Sequence, residues 1–340
     1  MAGLHLPVPQ AHPDAGPGEL RGDDGRRPRA GVGMTTATVQ RTVHAVPTTD
    51  GARLHATVSG SPDAAVTLVL AHGWTLSQAS WDDVADDLAP DVAAGSVRLV
   101  RYDQRGHGRS TWGEVADDEV EIDLLGEDLA AVLTALAPTG PVVLGGHSMG
   151  GMTIMALAAA HPELVGDRVR GVALVDTSAG QLAKPPRTAA ERLQQRLLPR
   201  VGAWAVAHSR RVDGWRRRVP PSSPRHQAMV RGLLYGSAAT DAMVLRGAEI
   251  MSASSVRSFA AFYPALGRHD KAQALATLRA VPVEVLVGET DKLTPVRHSE
   301  RLVGALPDAH LQVVPGCGHM LPQERPDLVA AALRRLLENR

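Results

Sequence analysis

The sequence is most constrained at residues 141–152, Pro-Val-Val-Leu-Gly-Gly-His-Ser-Met-Gly-Gly-Met. Val142, Val143 and Leu144 form a short apolar run of the kind that makes a buried strand. After Met152 the chain continues Thr-Ile-Met-Ala-Leu-Ala-Ala-Ala, a helix-forming run. Between them lies Gly146-His147-Ser148-Met149-Gly150, a G-x-S-x-G pentapeptide. A strand that turns this sharply into a helix leaves no room for side chains two residues either side of the serine. Gly146 and Gly150 meet that demand because they have no Cβ. The strained turn holds the Ser148 hydroxyl at the carboxyl edge of a sheet and at a helix N-terminus. In a chain with 33 glycines the pentapeptide alone says little, and the strand before it and helix after it give it meaning.

The same alternation runs through the chain. Residues 39–46 and 52–58 read as strands flanking the turn Thr48-Thr-Asp-Gly51. Further strands are expected at 66–70, 97–102, 169–175, 283–287 and 311–314. Helices are expected at 81–88, 122–136, 296–306 and 326–337. Alternating strands and helices mean α/β architecture: a mostly parallel sheet, eight-stranded by this reading, with helices on both faces. The pattern breaks at about Ala179, where strands give way to helical stretches and the Pro220-Pro221-Ser-Ser-Pro224 break. The expected organisation is a disordered leader over residues 1–33, a first core segment over 34–179, a helical insertion over 180–275 and a second core segment over 276–340.

In such sheets the ligand site lies beyond the carboxyl ends of the strands, and every polar motif falls there. A serine hydroxyl needs a base to take its proton and an acid to orient that base. His319 follows the last expected strand between tight-turn glycines and fits the base. His298 lies in an expected helix, and His310 precedes a strand. Asp291 ends the strand before His319's and is the first candidate acid by the chain order Ser…Asp…His. Asp176 is the reserve. Asp103 lies in a Gly- and Arg-rich loop and reads as a loop-fixing residue. The oxyanion requires donors placed in advance. The expected ones are the backbone N–H of Met149 and that of Trp74 in His72-Gly73-Trp74, where Gly73 permits close approach.

These motifs resemble those of the α/β-hydrolase fold family. The matching residues are His72-Gly73-Trp74, Asp103-Gln-Arg-Gly-His-Gly-Arg-Ser110, Gly146-His-Ser-Met-Gly150, Gly288-Glu-Thr-Asp291 and Gly318-His319. They occur in the family's order across residues 39–340. The resemblance implies a Ser148–Asp291–His319 triad, a Trp74/Met149 oxyanion hole and a helical cap over the site. Some branches of the family use an aspartate nucleophile. A serine in that position implies ester or related acyl chemistry.

The expected activity is hydrolysis of a small or medium apolar carboxylic ester through an acyl-enzyme, with no cofactor and no metal. Acyl transfer to an alcohol or peroxide is the alternative, and a non-catalytic ligand-binding protein the third reading. The 36 basic and 36 acidic side chains balance, so composition gives no general pull toward nucleic acid or an anionic membrane. Cys317 is the only cysteine, which excludes an internal disulfide and reads as a buried filler. No apolar signal core or long apolar span is seen, and a cytoplasmic protein is expected. In the insertion, Leu193, Leu197, Leu198, Val201 and Trp204 fall near one helical face, with Arg192, Arg196, Arg200, Arg210 and Arg211 among or beside them. This reads as a cap helix packed on its own domain with a solvated arginine face, in preference to a membrane-contacting surface. Phe259, Phe262 and Tyr263 read as cap core in preference to the lining of an apolar acyl pocket.

Overall fold

Burial on both faces decides the architecture. In a computed structural model of the 340-residue chain, which describes residues 41–182, 188, 200–216 and 218–338, strands β3 (Val66–Ala71), β5 (Val142–His147) and β7 (Val283–Gly288) are buried at every position. Continuous apolar strands of this kind need helices above and below, which is the condition of a parallel sheet. With β1 (Arg41–Pro47), β2 (Arg53–Ser59), β4 (Val97–Tyr102), β6 (Val169–Val175) and β8 (His310–Val314), the described residues form one eight-stranded sheet in the order β1-β2-β4-β3-β5-β6-β7-β8. β1 pairs antiparallel with β2, and β2 antiparallel with β4, while all other pairings are parallel. The expected leader, residues 1–33, lies outside the described residues, as do the first two residues of the expected strand 39–46.

The chain passes from β3 to β4 on one side, then returns to lay β5 on the other side of β3. The carboxyl ends of β3 and β5 therefore flank the reversal in strand order, where a crevice opens in sheets of this type. His72-Gly73-Trp74 follows β3 and Ser148 follows β5.

Two apolar layers close the sheet. Helices α1 (Asp82–Asp87) and α2 (Ala89–Ala93) pack on one face with the closing helix, through Trp81, Val84, Leu88, Val329 and Leu333. Helices α3 (Ile122–Leu136) and α4 (Met149–Ala160) cover the other, through Leu129, Val132, Ile154 and Leu157. The helix expected at 81–88 is α1; a 3-10 turn at Gln78–Trp81 precedes it, and Pro90 starts the separate α2.

Between β6 and β7 lie helices α5 (Ser209–Arg216), α6 (Pro224–Leu234), α7 (Asp241–Ala253), α8 (Val256–Arg268) and α9 (Leu275–Leu278). The insertion's two ends are tied together. Gly180 bridges Asp270, and the Lys271 N–H donates to the Ala179 carbonyl at 2.7 Å. After β7 come α10 (Arg297–Ala305), the unanticipated short α11 (Leu321–Glu324) and α12 (Pro326–Glu338). No helix among the described residues is long and apolar enough to cross a membrane.

Two expectations for the insertion change. Leu193, Leu197, Leu198, Arg192 and Arg196 lie outside the described residues, but Val201 and Trp204 are not packed on the domain: they are 59% and 58% exposed. Their segment docks through a different side, where the Asp213 carboxylate accepts from the Val256 N–H at 3.0 Å and Arg216 donates to the Ser254 carbonyl. The aromatic trio also divides. Phe262 is fully buried against Trp112 and His107, whereas Phe259 and Tyr263 are half exposed.

One buried ion cluster ties the loop after β4 to α3. Arg105 donates to both Asp128 oxygens, at 2.9 and 2.6 Å, and pairs with Asp50; Arg105 and Asp128 are each almost fully buried. Removing Asp128 leaves the buried Arg105 charge with part-exposed Asp50 as its remaining carboxylate partner. Asp128→Ala should therefore lower unfolding free energy by about 3–5 kcal/mol. Denaturant titration checks this, and a loss under about 1 kcal/mol would contradict the account.

Candidate active site

Ser148 has φ 53° and ψ −117°, a conformation unfavourable for any side-chain-bearing residue. The surroundings hold it there. A Cβ on Gly146 would lie 2.5 Å from the Gly150 carbonyl group, and one on Gly150 would lie 2.1 Å from the Ala71 carbonyl oxygen. Backbone therefore meets backbone on both sides of the turn, as expected from the pentapeptide. The Ser148 N–H donates to the Val175 carbonyl at 2.9 Å, and the Thr177 hydroxyl donates to the Ser148 carbonyl at 2.7 Å. Met149 opens α4, so its N–H sits at a helix N-terminus, where donors lack intrahelical acceptors. A Cβ on Gly73 would come within 3.2 Å of the Ser148 Cβ, so the His72-Gly73-Trp74 backbone crosses directly against the serine.

The His319 Nε2 lies 3.0 Å from the Ser148 Oγ, and its Nδ1 lies 2.7 Å from the Asp291 Oδ2. Sequence reasoning placed these three side chains together, and the structure does so with His319 and Asp291 both buried. Asp291 is fixed by its own turn. The N–H groups of Leu293 and Thr294 donate to Oδ1 at 2.8 and 3.0 Å, and the Thr294 hydroxyl donates to Oδ2 at 2.7 Å. Burial pushes the Asp291 carboxyl up, but the His319 charge and these donors hold it at about 2. Burial likewise pushes the His319 imidazole down, yet the Asp291 charge and hydrogen bond outweigh it and leave the imidazole above its ordinary value.

The other candidates are engaged elsewhere. His298 bonds Ser178 through Nδ1 at 2.8 Å, and exposed His310 faces Glu284. Asp176 is completely buried, but its oxygens accept from the N–H groups of Gly288 (3.0 Å) and Leu321 (3.1 Å). Burial and the Asp291 charge push its pKa upward. Asp103 accepts from the N–H groups of Gln78 and Arg109, a loop-fixing arrangement as expected. His72 bonds the Gly73 carbonyl through Nδ1 and accepts the Gln104 N–H at Nε2, so it stays neutral in one tautomer. Cys317 is buried, and burial pushes its thiol up to about 11, which leaves it inert.

Sequence reasoning missed three supports. Thr294 braces Asp291, and the Asp-x-x-Thr spacing was its signal. Buried His147 donates through Nε2 to the His319 carbonyl at 2.7 Å, and burial lowers its pKa to about 3, so it stays neutral. Glu324, five residues after His319, accepts from the N–H groups of Gly318 (2.9 Å), Met320 (3.3 Å) and Gly236 (2.8 Å). The His319 N–H itself donates to the Leu234 carbonyl at 2.6 Å. The histidine turn is thus bound at every peptide from 318 to 321. Beside the serine, the Trp74 indole stacks on Phe259 at 4.6 Å and leans on Tyr263 at 5.8 Å.

A sheet of this order, with a serine on a strained strand–helix turn and a histidine–aspartate pair from the last two strand ends, defines an α/β hydrolase. Residues 68–332 match the model of the alpha/beta hydrolase family, and the chain belongs to that family. It is 28% identical over 274 residues to a non-heme haloperoxidase of Rhodococcus erythropolis, covering 79% of this chain and 90% of the relative. It is 36% identical over 117 residues to a bifunctional esterase/perhydrolase of Acinetobacter calcoaceticus, covering 34% and 39%. Among solved structures, a thermophilic esterase from Thermogutta terrifontis superposes with a TM-score of 0.63 at 24% identity, over 87% of this chain and 97% of that one.

Glu324→Ala leaves three buried N–H donors without their acceptor. It should destabilise the protein by about 2–4 kcal/mol, with Glu324→Gln intermediate. Thermal and denaturant melts read this out, and a Glu324→Ala variant as stable as wild type would refute the assignment.

Proposed function

We propose that the protein is a serine hydrolase that cleaves a small or medium apolar carboxylic ester through an acyl-enzyme on Ser148. The observation that carries this reading is the unbroken hydrogen-bonded line from Asp291 through His319 to a serine in strained geometry at a helix N-terminus. Ser148 Oγ attacks the ester carbonyl while His319 Nε2 takes its proton. Asp291 holds the imidazole in the tautomer that presents Nε2 to the serine and stabilises the imidazolium that forms. The N–H groups of Met149 and Trp74 face the developing oxyanion. The imidazolium then protonates the leaving alcohol, and a water activated by His319 resolves the acyl-enzyme. The helical insertion acts as the cap, and Trp74, Phe259 and Tyr263 offer an aromatic surface beside the serine for an apolar acyl or alcohol group.

The esterase and perhydrolase named among the relatives support two acceptors for the same acyl-enzyme, water and peroxide. Product ratios with and without added peroxide or alcohol separate them. A purely ligand-binding role leaves this assembled line of proton-transfer groups unexplained.

Fluorophosphonate labelling followed by peptide mapping should mark Ser148 in wild type and nothing in Ser148→Ala. Absence of label on folded wild type would sink the proposal. Ester turnover should fall by several orders of magnitude in Ser148→Ala and His319→Ala, and about a hundred- to ten-thousandfold in Asp291→Asn, with melting nearly unchanged. Full activity in Asp291→Asn together with inactivity in Asp176→Asn would move the acid to Asp176.

The base acts neutral, and the Asp291 charge raises the imidazole despite burial. The acid limb of kcat/KM should therefore have its midpoint above about 6.5. Asp291→Asn removes the raising charge and leaves burial, so the midpoint should move to lower pH. A profile flat down to about pH 4 would contradict a histidine base.

A further inference from the structure

The balanced net charge conceals a segregation. Twelve basic and two acidic side chains fall between Gly180 and Thr240, a surplus of ten positive charges, and the rest of the chain carries the matching deficit. Elsewhere in the insertion, arginines are neutralised in place: Arg246 by Asp82 and Asp83, Arg257 by Asp117, Arg268 by Glu121. Within the basic stretch, Arg200, Arg210, Arg211, Arg218 and Arg225 are exposed and have no acidic partner among the described residues.

The same stretch exposes an apolar stripe. Residues 200–207 are helical, and the bonds from the His208 N–H to the Trp204 carbonyl and from the Val212 N–H to the His208 carbonyl carry the helix into α5. At about 100° per residue, Val201, Trp204 and Trp215 fall within about a quarter-turn of one another, and Val219 follows just after the helix. They are 59%, 58%, 66% and 41% exposed. Arg200 and Arg211 lie along one edge of this stripe by the same spacing, and exposed Arg218 follows in the turn after α5. Asp213 lies on the opposite side and Arg216 about 60° beyond the stripe's other edge, and both dock on α8 and its N-terminal turn. α5 has no buried residue.

We propose that this face docks on an anionic lipid bilayer, with Trp204 and Trp215 entering the headgroup boundary and the flanking arginines pairing with lipid phosphates. An aromatic stripe edged by long cationic side chains matches the chemistry of that boundary: rings and valines lose water contact while guanidinium groups stay at the phosphates. A polyanion without an apolar phase would pair with the arginines but offer nothing to the two valines, which favours a bilayer over a nucleic acid or acidic protein. The proposal does not rest on the Ser148 site and holds whatever reaction that site performs.

The test is co-sedimentation of the full-length protein with phosphatidylcholine vesicles, with and without about a quarter phosphatidylglycerol. Binding is expected to the anionic vesicles only, and should weaken about tenfold between about 0.1 and 0.5 M salt. W204S/W215S and R200E/R211E/R218E should each lower partitioning about tenfold or more, with unchanged melting temperatures. A measurement on wild type needs no variant: vesicles containing brominated lipid should quench tryptophan fluorescence. No sedimentation with anionic vesicles would overturn the proposal. So would undiminished binding by W204S/W215S, or polyglutamate or a single-stranded oligonucleotide binding as tightly as the vesicles. Absence of quenching by brominated lipid would overturn it as well.

Discussion

The geometry of the site depends on one buried pairing, the His319 imidazole against the Asp291 carboxylate. Three carboxylates cluster near that imidazole, and a buried cation could in principle be shared among them. Each of the other two is committed to backbone: Asp176 to the amides of Gly288 and Leu321, Glu324 to those of Gly236, Gly318 and Met320. Only Asp291 presents an oxygen to Nδ1. The division matters because a carboxylate with both oxygens bonded to amides is geometrically fixed and cannot swing toward the ring, whereas Asp291 uses Oδ1 for its amides and keeps Oδ2 for the ring. The ring's orientation is therefore defined from one side, and its far nitrogen is left aimed at Ser148.

A second constraint, backbone-to-backbone contact, brings these groups within reach. Glycines at 146, 150, 288 and 318 stand where a Cβ would fall 2.0–2.5 Å from a neighbouring main-chain atom. The strand ends thus converge more closely than side-chain packing would permit. The strained φ of Ser148 is one consequence of that convergence, because the chain must leave β5 and enter α4 in a single residue. Strain of this kind persists only where surrounding contacts over-determine it, and here the bonds to Val175 and from Thr177 do so.

How much of this was legible follows from the range of each interaction. The parallel strands were readable because burial on both faces writes a continuous apolar run, and Ser148, Asp291 and His319 because each sits at the end of such a run. Asp291 and Asp176 could not be separated on their own spacing, since both end strands. What decides between them is which one keeps an oxygen for the imidazole: both Asp176 oxygens accept backbone amides, whereas Asp291 Oδ2 faces Nδ1. Glu324 went unseen for the same reason: its partners include Gly236, 88 residues away. Phe259, Tyr263, Val201 and Trp204 were assigned to packing because apolar residues usually pack, and no local pattern reveals that the partnered side of α5 is its polar one.

The insertion is held unevenly, and that bears on where it can move. The segment around 234–236 is joined to the histidine turn by the His319 amide, by Glu324 and by contacts so close that neither Gly236 nor Gly318 could carry a side chain. Displacing it would break the His319 amide's bond to Leu234 and the Gly236 amide's bond to Glu324, so movement there would loosen the turn that carries the proposed base. α5 buries nothing and docks through a carboxylate and an arginine. Regions with few buried contacts open at the lowest free-energy cost, and lids are drawn from them. Of the two, the α5 side is therefore the one whose displacement costs least; it also carries the exposed tryptophans and the arginines without an acidic partner among the described residues. The histidine side stays fixed because its rigidity and the alignment of His319 rest on the same hydrogen bonds.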